Sequence, residues 1–233
     1  MDCDRNTVRR RYDRLAPFIP LFDRLFFVPH GLRRRAVDCL ELRRGDSVLE
    51  IGCGTGNSFR PLHDAVGEDG RIYGVDISPG MLRKAKARCD ANHWRNIKLY
   101  ECDAADYAPP MPLGGVLCAF SINTMPHYRD VLRNAWDWLR PGGHMVIVDA
   151  KLPSSPTAKL LLPFSLWLMK HTMLGNPLIR PWDDLADIAE NVEMHKYRFD
   201  TYYICRAMKP RRDGKSANTA ANGGAMAYRV AAE

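Results

Sequence analysis

Three glycines, at 52, 54 and 56, stand directly behind an apolar run in "VLEIGCGTGNSF", residues 48 to 59. Glycines at this spacing let backbone N–H groups approach a ligand that side chains would hold off. Two carboxylates follow in chain order. Asp76 lies twenty residues after Gly56, where it can accept both hydroxyls of a ribose in a bidentate contact. Asp103 and Ala104 offer a carboxylate and a backbone N–H of the kind that meets an adenine edge. "LRPGG", residues 139 to 143, reads as a turn leading a helix into a strand. The chemistry these residues share is recognition of a nucleoside-like ligand. Each also has a plainer reading: a tight turn for the glycines, helix N-caps for Asp76 and Asp103. The G-x-G-x-G spacing also departs from the dinucleotide G-x-G-x-x-G in its last glycine.

The elements that must position these residues alternate. "DSVLEIG", "RIYGVDI", "NIKLYECD", "GGVLCAFS" and "GGHMVIVDA" read as strands. Between them fall a helix from about Ser58 to Val66, a helix "GMLRKAKARC" with Met81, Leu82, Ala85 and Cys89 on one face, and a helix "YRDVLRNAWDWL". Ser78 followed by Pro79 is a cap and first-turn signal for the second of these. Strands alternating with helices predict a parallel sheet covered on both faces. One or two helices over about residues 4 to 27 and another around 31 to 41 precede it. "VEMHKYRFD" and "TYYICRAMKP" close it as an antiparallel edge hairpin. The predicted fold class is therefore α/β: a doubly wound, mostly parallel seven-stranded Rossmann-like sheet with an antiparallel C-terminal hairpin and an N-terminal helical lid. The expected divisions are a lid at 1–44, a core carrying the glycine loop at 45–150, an insert and the last strands at 151–210, and a disordered tail at 211–233.

Composition narrows the class. A chain of 233 residues, 46% hydrophobic, suits one domain with appendages. The formal charge of +7 is concentrated at the ends: residues 1 to 44 hold 11 Arg against 6 acids, and residues 209 to 233 hold 5 basic against 2 acidic. The middle is near neutral, unlike a nucleic-acid reader with a basic face built into its fold, so no nucleic-acid partner is expected. Seven cysteines form no C-x-x-C pair and have no His at metal spacing, so neither a metal site nor a disulfide framework is expected. The charged opening "MDCDRNTVRRRYDR" lacks a signal-peptide core, which together with the cysteine usage predicts a cytoplasmic location. The longest apolar run, "LLLPFSLWLM" between Lys159 and Lys170, is too short to span a bilayer. "LAPFIPLFDRLFF" in the Arg-rich lead-in could still lie on an anionic membrane surface, or be an ordinary amphipathic helix with solvated arginines.

"VLEIGCGTG", "GVDISPGML", "ECDAAD" and "LRPGGHMVIVD" resemble the successive motifs of class I S-adenosylmethionine-dependent methyltransferases, over about residues 45 to 150. The lead-in "YDRLAPFIPLFDRLF" resembles that of the ubiquinone and menaquinone methyltransferases and of related small-molecule and phospholipid methyltransferases. The resemblance implies S-adenosyl-L-methionine as cofactor. It implies that Glu50 and the loop Gly52, Cys53, Gly54 and Gly56 hold its methionine end, and that Asp76 holds the ribose. Ile77 and Met81 would cover one face of the adenine, and Asp103 and Ala104 its edge. Ser121 would sit beside the sulfonium, and Tyr12 would fold over the site as part of a lid. This cofactor has no phosphate, and the loop carries no P-loop lysine.

A sulfonium methyl is already activated, so in-line displacement needs orientation and exclusion of water, without a metal. A base is needed only where the acceptor must lose a proton early. Asn123 and His127 of "FSINTMPHY" and Tyr12 of the lid are the candidates, with a solvent-exposed loop histidine as the plainer reading of His127. Quinone-methylating relatives carry an Arg-Asn pair after the fourth strand, whereas this chain has Ser121-Ile122-Asn123, keeping the Asn without the Arg. That departure argues against quinone ring methylation. The insert "KLLLPFSLWLMKHTMLGNPLIRPW" stands where this fold builds its acceptor pocket, and its apolar content suits an amphiphilic or lipid-like acceptor, such as a phospholipid amine headgroup or a prenylated ring. A NAD-dependent oxidoreductase and a non-catalytic binding module of the same fold are the alternatives.

Overall fold

The computed structural model describes residues 9, 10, 12, 13, 28–151, 175, 176, 178–198 and 200–211. The expected helices within 4–27, most of the insert after Lys151 and the expected disordered tail lie largely outside the described residues.

Hydrophobic runs set the order of the sheet. β1 (Ser47–Ile51) and β4 (Leu113–Ala119) are buried at every position and lie side by side at its centre. β2 (Arg71–Asp76) pairs with β1, and β3 (Ile97–Glu101), whose burial is only partial, forms the edge beyond it. β5 (Leu139–Ala150) pairs with β4, β7 (Tyr202–Met208) with β5, and β6 (Glu193–Tyr197) forms the far edge. The order is therefore β3-β2-β1-β4-β5-β7-β6, with β7 antiparallel to both neighbours and the other pairings parallel. The chain reverses its winding between β1 and β4. In open α/β sheets the crevice at such a switch point, beyond the strand C-termini, is where ligands bind.

Helices cover both faces. α1 (Leu32–Asp38), α2 (Phe59–Val66) and α3 (Pro79–Ala91) bury Leu32, Ala36, Phe59, Leu62, Leu82 and Ala85 in one core with Val48, Leu117 and Val146. α4 (Tyr128–Trp138) and α5 (Pro181–Ala186) bury Val131, Leu132, Trp182 and Leu185 in the other, with Leu49, Val116, Ile147 and Tyr203. Ser78 caps α3 as its sequence predicts: its Oγ accepts a hydrogen bond from Met81 N at 3.1 Å, with Pro79 in the first turn. "LRPGG" departs from the expected turn. Leu139 already pairs with Leu113, and the register shifts before His144 pairs with Gly115, so Pro141-Gly142-Gly143 is an irregularity inside β5. Gly142 at φ 77° supplies the conformation that this irregularity needs. Among the described residues, no helix is long and apolar enough to cross a membrane.

Candidate functional site

The glycine loop leaves β1 and is tied over the end of β2, because Gly52 N and Cys53 N both donate to Val75 O at 2.8 and 3.0 Å. Its three glycines answer different demands. At Gly52 (φ 67°) an added Cβ would fall 2.4 Å from Ser121 Cβ, and at Gly56 (φ 75°) 2.4 Å from the Phe59 ring. Both positions are closed by the protein itself. Gly54 (φ 54°) has nothing within 4 Å of its would-be Cβ among the described residues, so its open side gives room for a ligand. Buried Cys53 packs beneath the loop, its sulfur 3.0 Å from a would-be Cβ on Gly74. Ser121, just past β4, donates from Oγ to Ile51 O at 2.7 Å and so fastens the loop from the other strand of the switch point.

Two carboxylates line this crevice. Glu50 is 1% exposed and its Oε2 has no hydrogen-bond partner. Burial pushes its carboxyl up to about 7, although the Ser58 hydroxyl and Arg33 pull it back. Asp76, at the tip of β2, accepts hydrogen bonds from Ser78 N at Oδ1 (2.9 Å) and from Gly54 N at Oδ2 (2.8 Å). Burial raises it to about 6, the Ser78 and Gly54 amides lower it, and Asp13 raises it further. Asp76 therefore shapes the loop itself. A carboxylate oxygen can accept two hydrogen bonds, so each Asp76 oxygen has capacity left for a ligand hydroxyl. Ile77 beside it is half-buried, and Met81 is buried in the first turn of α3.

Asp103 and Ala104 lie past β3, which ends at Glu101. Asp103 Oδ1 accepts a hydrogen bond from Ala105 N at 2.9 Å and caps a 3-10 turn over Ala104–Asp106, so the cap expected as the plainer reading is formed. Of the lead-in, half-buried Tyr12 and its neighbour Asp13 are helical. Asp13 is a residue the sequence reading passed over. Its Oδ1 accepts from Ser78 Oγ (2.7 Å) and from Gly80 N (2.9 Å), which latches the lead-in onto the start of α3 beside Asp76. Arg9 adds an ion pair to Glu101 at 2.8 Å, half-exposed on both sides and worth little. The signal that could have found Asp13 was the "YD" pair that opens the lead-in.

The base candidates part company. Asn123 is buried, its Nδ2 donates to Ala150 O (3.1 Å), and its own carbonyl accepts from Asn176 N (2.8 Å). Asn123 Oδ1 has no partner. His127 is exposed at the N-terminus of α4, where its side chain caps nothing.

A buried, partnerless carboxylate oxygen at the end of β1 suits an ammonium. Asp76 suits a diol, the open face of Gly54 gives access to backbone, and the loop offers no lysine for a phosphate. Fold and crevice are those of an α/β domain with groups suited to an adenosyl moiety carrying an amino acid. A family model described as "Methyltransferase domain" matches residues 48–143. A 2-phytyl-1,4-naphtoquinone methyltransferase of Thermosynechococcus vestitus is 31% identical over 170 residues, which cover 70% of this chain and 72% of the relative. The aklanonic acid methyltransferase DauC of Streptomyces sp. strain C5 is 36% identical, but over 55% of this chain and 59% of its own length. In fold, the crystal structure of a SAM-dependent methyltransferase from Aquifex aeolicus superposes with a TM-score of 0.59 at 18% identity, covering 81% of this chain and 97% of that one. The chain belongs to the class I S-adenosylmethionine-dependent methyltransferases, near the quinone methyltransferases. Its cofactor is S-adenosyl-L-methionine.

Proposed function

We propose that the chain methylates a hydroxyl-bearing aromatic acceptor of quinone type with an apolar side chain. The observation that carries the donor half is the buried Oε2 of Glu50, without a hydrogen-bond partner among the described residues, at the end of the strand that leads into the glycine loop. Glu50 takes the ammonium of the methyl donor, and the Gly52–Gly56 loop with Cys53 lies along its amino-acid portion. Asp76 takes the ribose hydroxyls, Ile77 and Met81 cover the adenine, and Asp103 and Ala104 meet its edge. Ser121 borders the sulfonium. Tyr12, held down by the Asp13 latch, excludes water. When bound, the donor supplies an activated methyl group for in-line displacement.

For the acceptor, the likeness to a protein named for 2-phytyl-1,4-naphthoquinone supports a quinone-type ring, in spite of the missing Arg of the Arg-Asn pair. The apolar insert is consistent with a lipid-like tail, and its ends are anchored beside the crevice. Lys151 Nζ pairs with Asp200 at 2.7 Å as the chain leaves β5, and Asn176 returns onto Asn123. A prenylated acceptor also agrees with the Arg-rich lead-in resting on an anionic membrane surface.

The test is mass spectrometry after incubation with methyl-labelled donor and three acceptors: a prenylated naphthoquinol, an unprenylated naphthoquinol, and phosphatidylethanolamine vesicles. Label on the naphthoquinols, faster on the prenylated one, is expected. Label on the phospholipid alone, or on none of the three, overturns the acceptor assignment. Flotation with anionic vesicles at low and high salt tests the membrane contact, which predicts salt-sensitive binding; no binding at either salt removes it.

A further inference from the structure

A second group of buried polar atoms sits away from the donor crevice. Asp149, at the C-terminal end of β5, is 6% exposed, and its Oδ1 accepts a hydrogen bond from Ala150 N at 2.8 Å. Among the described residues its Oδ2 has no hydrogen-bond partner, and neither does the Tyr203 hydroxyl or Asn123 Oδ1. These three orphaned atoms belong to one neighbourhood. Asp149 is paired directly with Tyr203 on antiparallel β7, so the two side chains share a face of the sheet. Asn123 donates to Ala150 O, one residue from Asp149. Buried polar atoms are destabilising when unpaired, and three together mark a place fitted to a polar guest.

That place adjoins both the glycine loop and the points where the chain leaves for and returns from the insert. The chain departs for the insert at Lys151, two residues past Asp149, and returns at Gly175. The Gly175 backbone lies against Asn123, so that a Cβ there would meet Asn123 O at 2.5 Å. The short turn Ile122–Thr124 that carries Asn123 begins at Ser121, which fastens the glycine loop. The donor crevice and the polar group are thus two ends of one short stretch.

We propose that Asp149 is the catalytic base of the transfer, its Oδ2 taking the proton of the acceptor's ring hydroxyl while Tyr203 and Asn123 hold the same polar edge. This rests on the hydroxyl-bearing aromatic acceptor proposed above. The O–H bond breaks and its electron pair stays with the acceptor, whose oxygen or ring carbon forms the new bond to the methyl as the S–CH3 bond breaks and the sulfonium leaves as the neutral thioether of S-adenosylhomocysteine; a ring carbon so methylated then loses its own proton as the hydroxyl is restored. The proton resides on Asp149 until it is released to solvent. Burial raises the Asp149 carboxyl to about 7, and the Ala150 and Asn123 amides and Arg33 pull it down. The titratable and charged groups facing it are Arg33 from α1, Cys118 from β4 and Tyr203 from β7. A base must be ionised to accept a proton, so turnover rises with pH through about 7.

The test compares wild type with Asp149→Asn, an isosteric change that keeps the bond from Ala150 N. Unchanged affinity for S-adenosylhomocysteine and a cooperative melt establish that the variant is folded. With a naphthoquinol acceptor, Asp149→Asn lowers kcat by about a hundredfold or more, abolishes the rise through neutral pH, and recovers as the acceptor ionises in alkaline buffer. Tyr203→Phe lowers kcat about three- to tenfold and keeps the rise. Binding to the S-adenosylhomocysteine complex gives a readout without turnover: the variant loses about tenfold in affinity for 1-naphthol and less than twofold for naphthalene. A variant with wild-type kcat, pH profile and 1-naphthol affinity overturns the proposal and leaves a mere buried water site, while the acceptor assignment stands. If wild type neither methylates the naphthoquinol nor binds 1-naphthol, the acceptor reading falls and takes this inference with it.

Discussion

At the scale of residues, the three loop glycines separate stability from binding. Gly52→Ala drives a Cβ into Ser121 at a left-handed φ, and a loss of about 3 kcal/mol in unfolding free energy is expected from overpacking and backbone strain together. Gly54→Ala meets no atom of the described residues, so denaturant melts register only about 1 kcal/mol of backbone cost. Yet its methyl occupies the open side of the loop, and S-adenosylhomocysteine affinity falls at least tenfold. Asp76→Ala removes the bonds to the Gly54 and Ser78 amides and, on the proposed binding mode, those to the ribose, and is expected to cost roughly 1.5–3 kcal/mol of that affinity in calorimetry. The carboxylate of Asp76 was legible because it ends a strand at a fixed distance from the glycines. Asp149 was not, since an acid closing "MVIVDA" reads simply as the exit of a strand. Only the pairing with Tyr203, which comes from the far end of the chain, makes it part of a group.

At the scale of elements, hydrophobic runs and the cap at Ser78 were enough to place β1, β2, β4 and α3. They could not reveal that Ser78 serves twice, as cap of α3 through its accepted bond and as donor to Asp13. Asp13 stands among the arginines of the lead-in, where a single acid carries no periodic signal. The latch predicts that Asp13→Ala weakens S-adenosylhomocysteine binding several-fold, while the melting temperature moves little. A drop in melting temperature with unchanged affinity would instead make Asp13 part of the fold's support. The boundary of β5 was misjudged for a related reason. Pro-Gly-Gly signals a turn locally, and only pairing of Leu139 with Leu113 draws the strand back beyond it.

At the scale of the whole molecule, three carboxyls raised by burial make stability depend on pH. Glu50, Asp76 and Asp149 are raised by burial to about 7, 6 and 7. Their contribution is complete below their unfolded values and is lost as pH rises through these folded ones. His144 is lowered by burial and opposes them at the acid end, where its own contribution is lost as pH falls. The melting temperature of the free protein therefore declines between pH 6 and 8. S-adenosylhomocysteine reduces that decline, because its ammonium compensates ionised Glu50. A melting temperature that rises over this range in the free protein contradicts the assignment.

The central claim is that the buried Oε2 of Glu50, with no hydrogen-bond partner among the described residues, serves the ammonium of the methyl donor. Calorimetric titration of S-adenosylhomocysteine into the protein at pH 6 and pH 8 tests it most directly. Binding of one ligand per chain is predicted, about tenfold tighter at pH 8 because Glu50 ionises near 7, with weaker and nearly pH-independent binding in Glu50→Gln. Equal affinity at both pH values in wild type, or a Glu50→Gln variant that binds as wild type does, would contradict it.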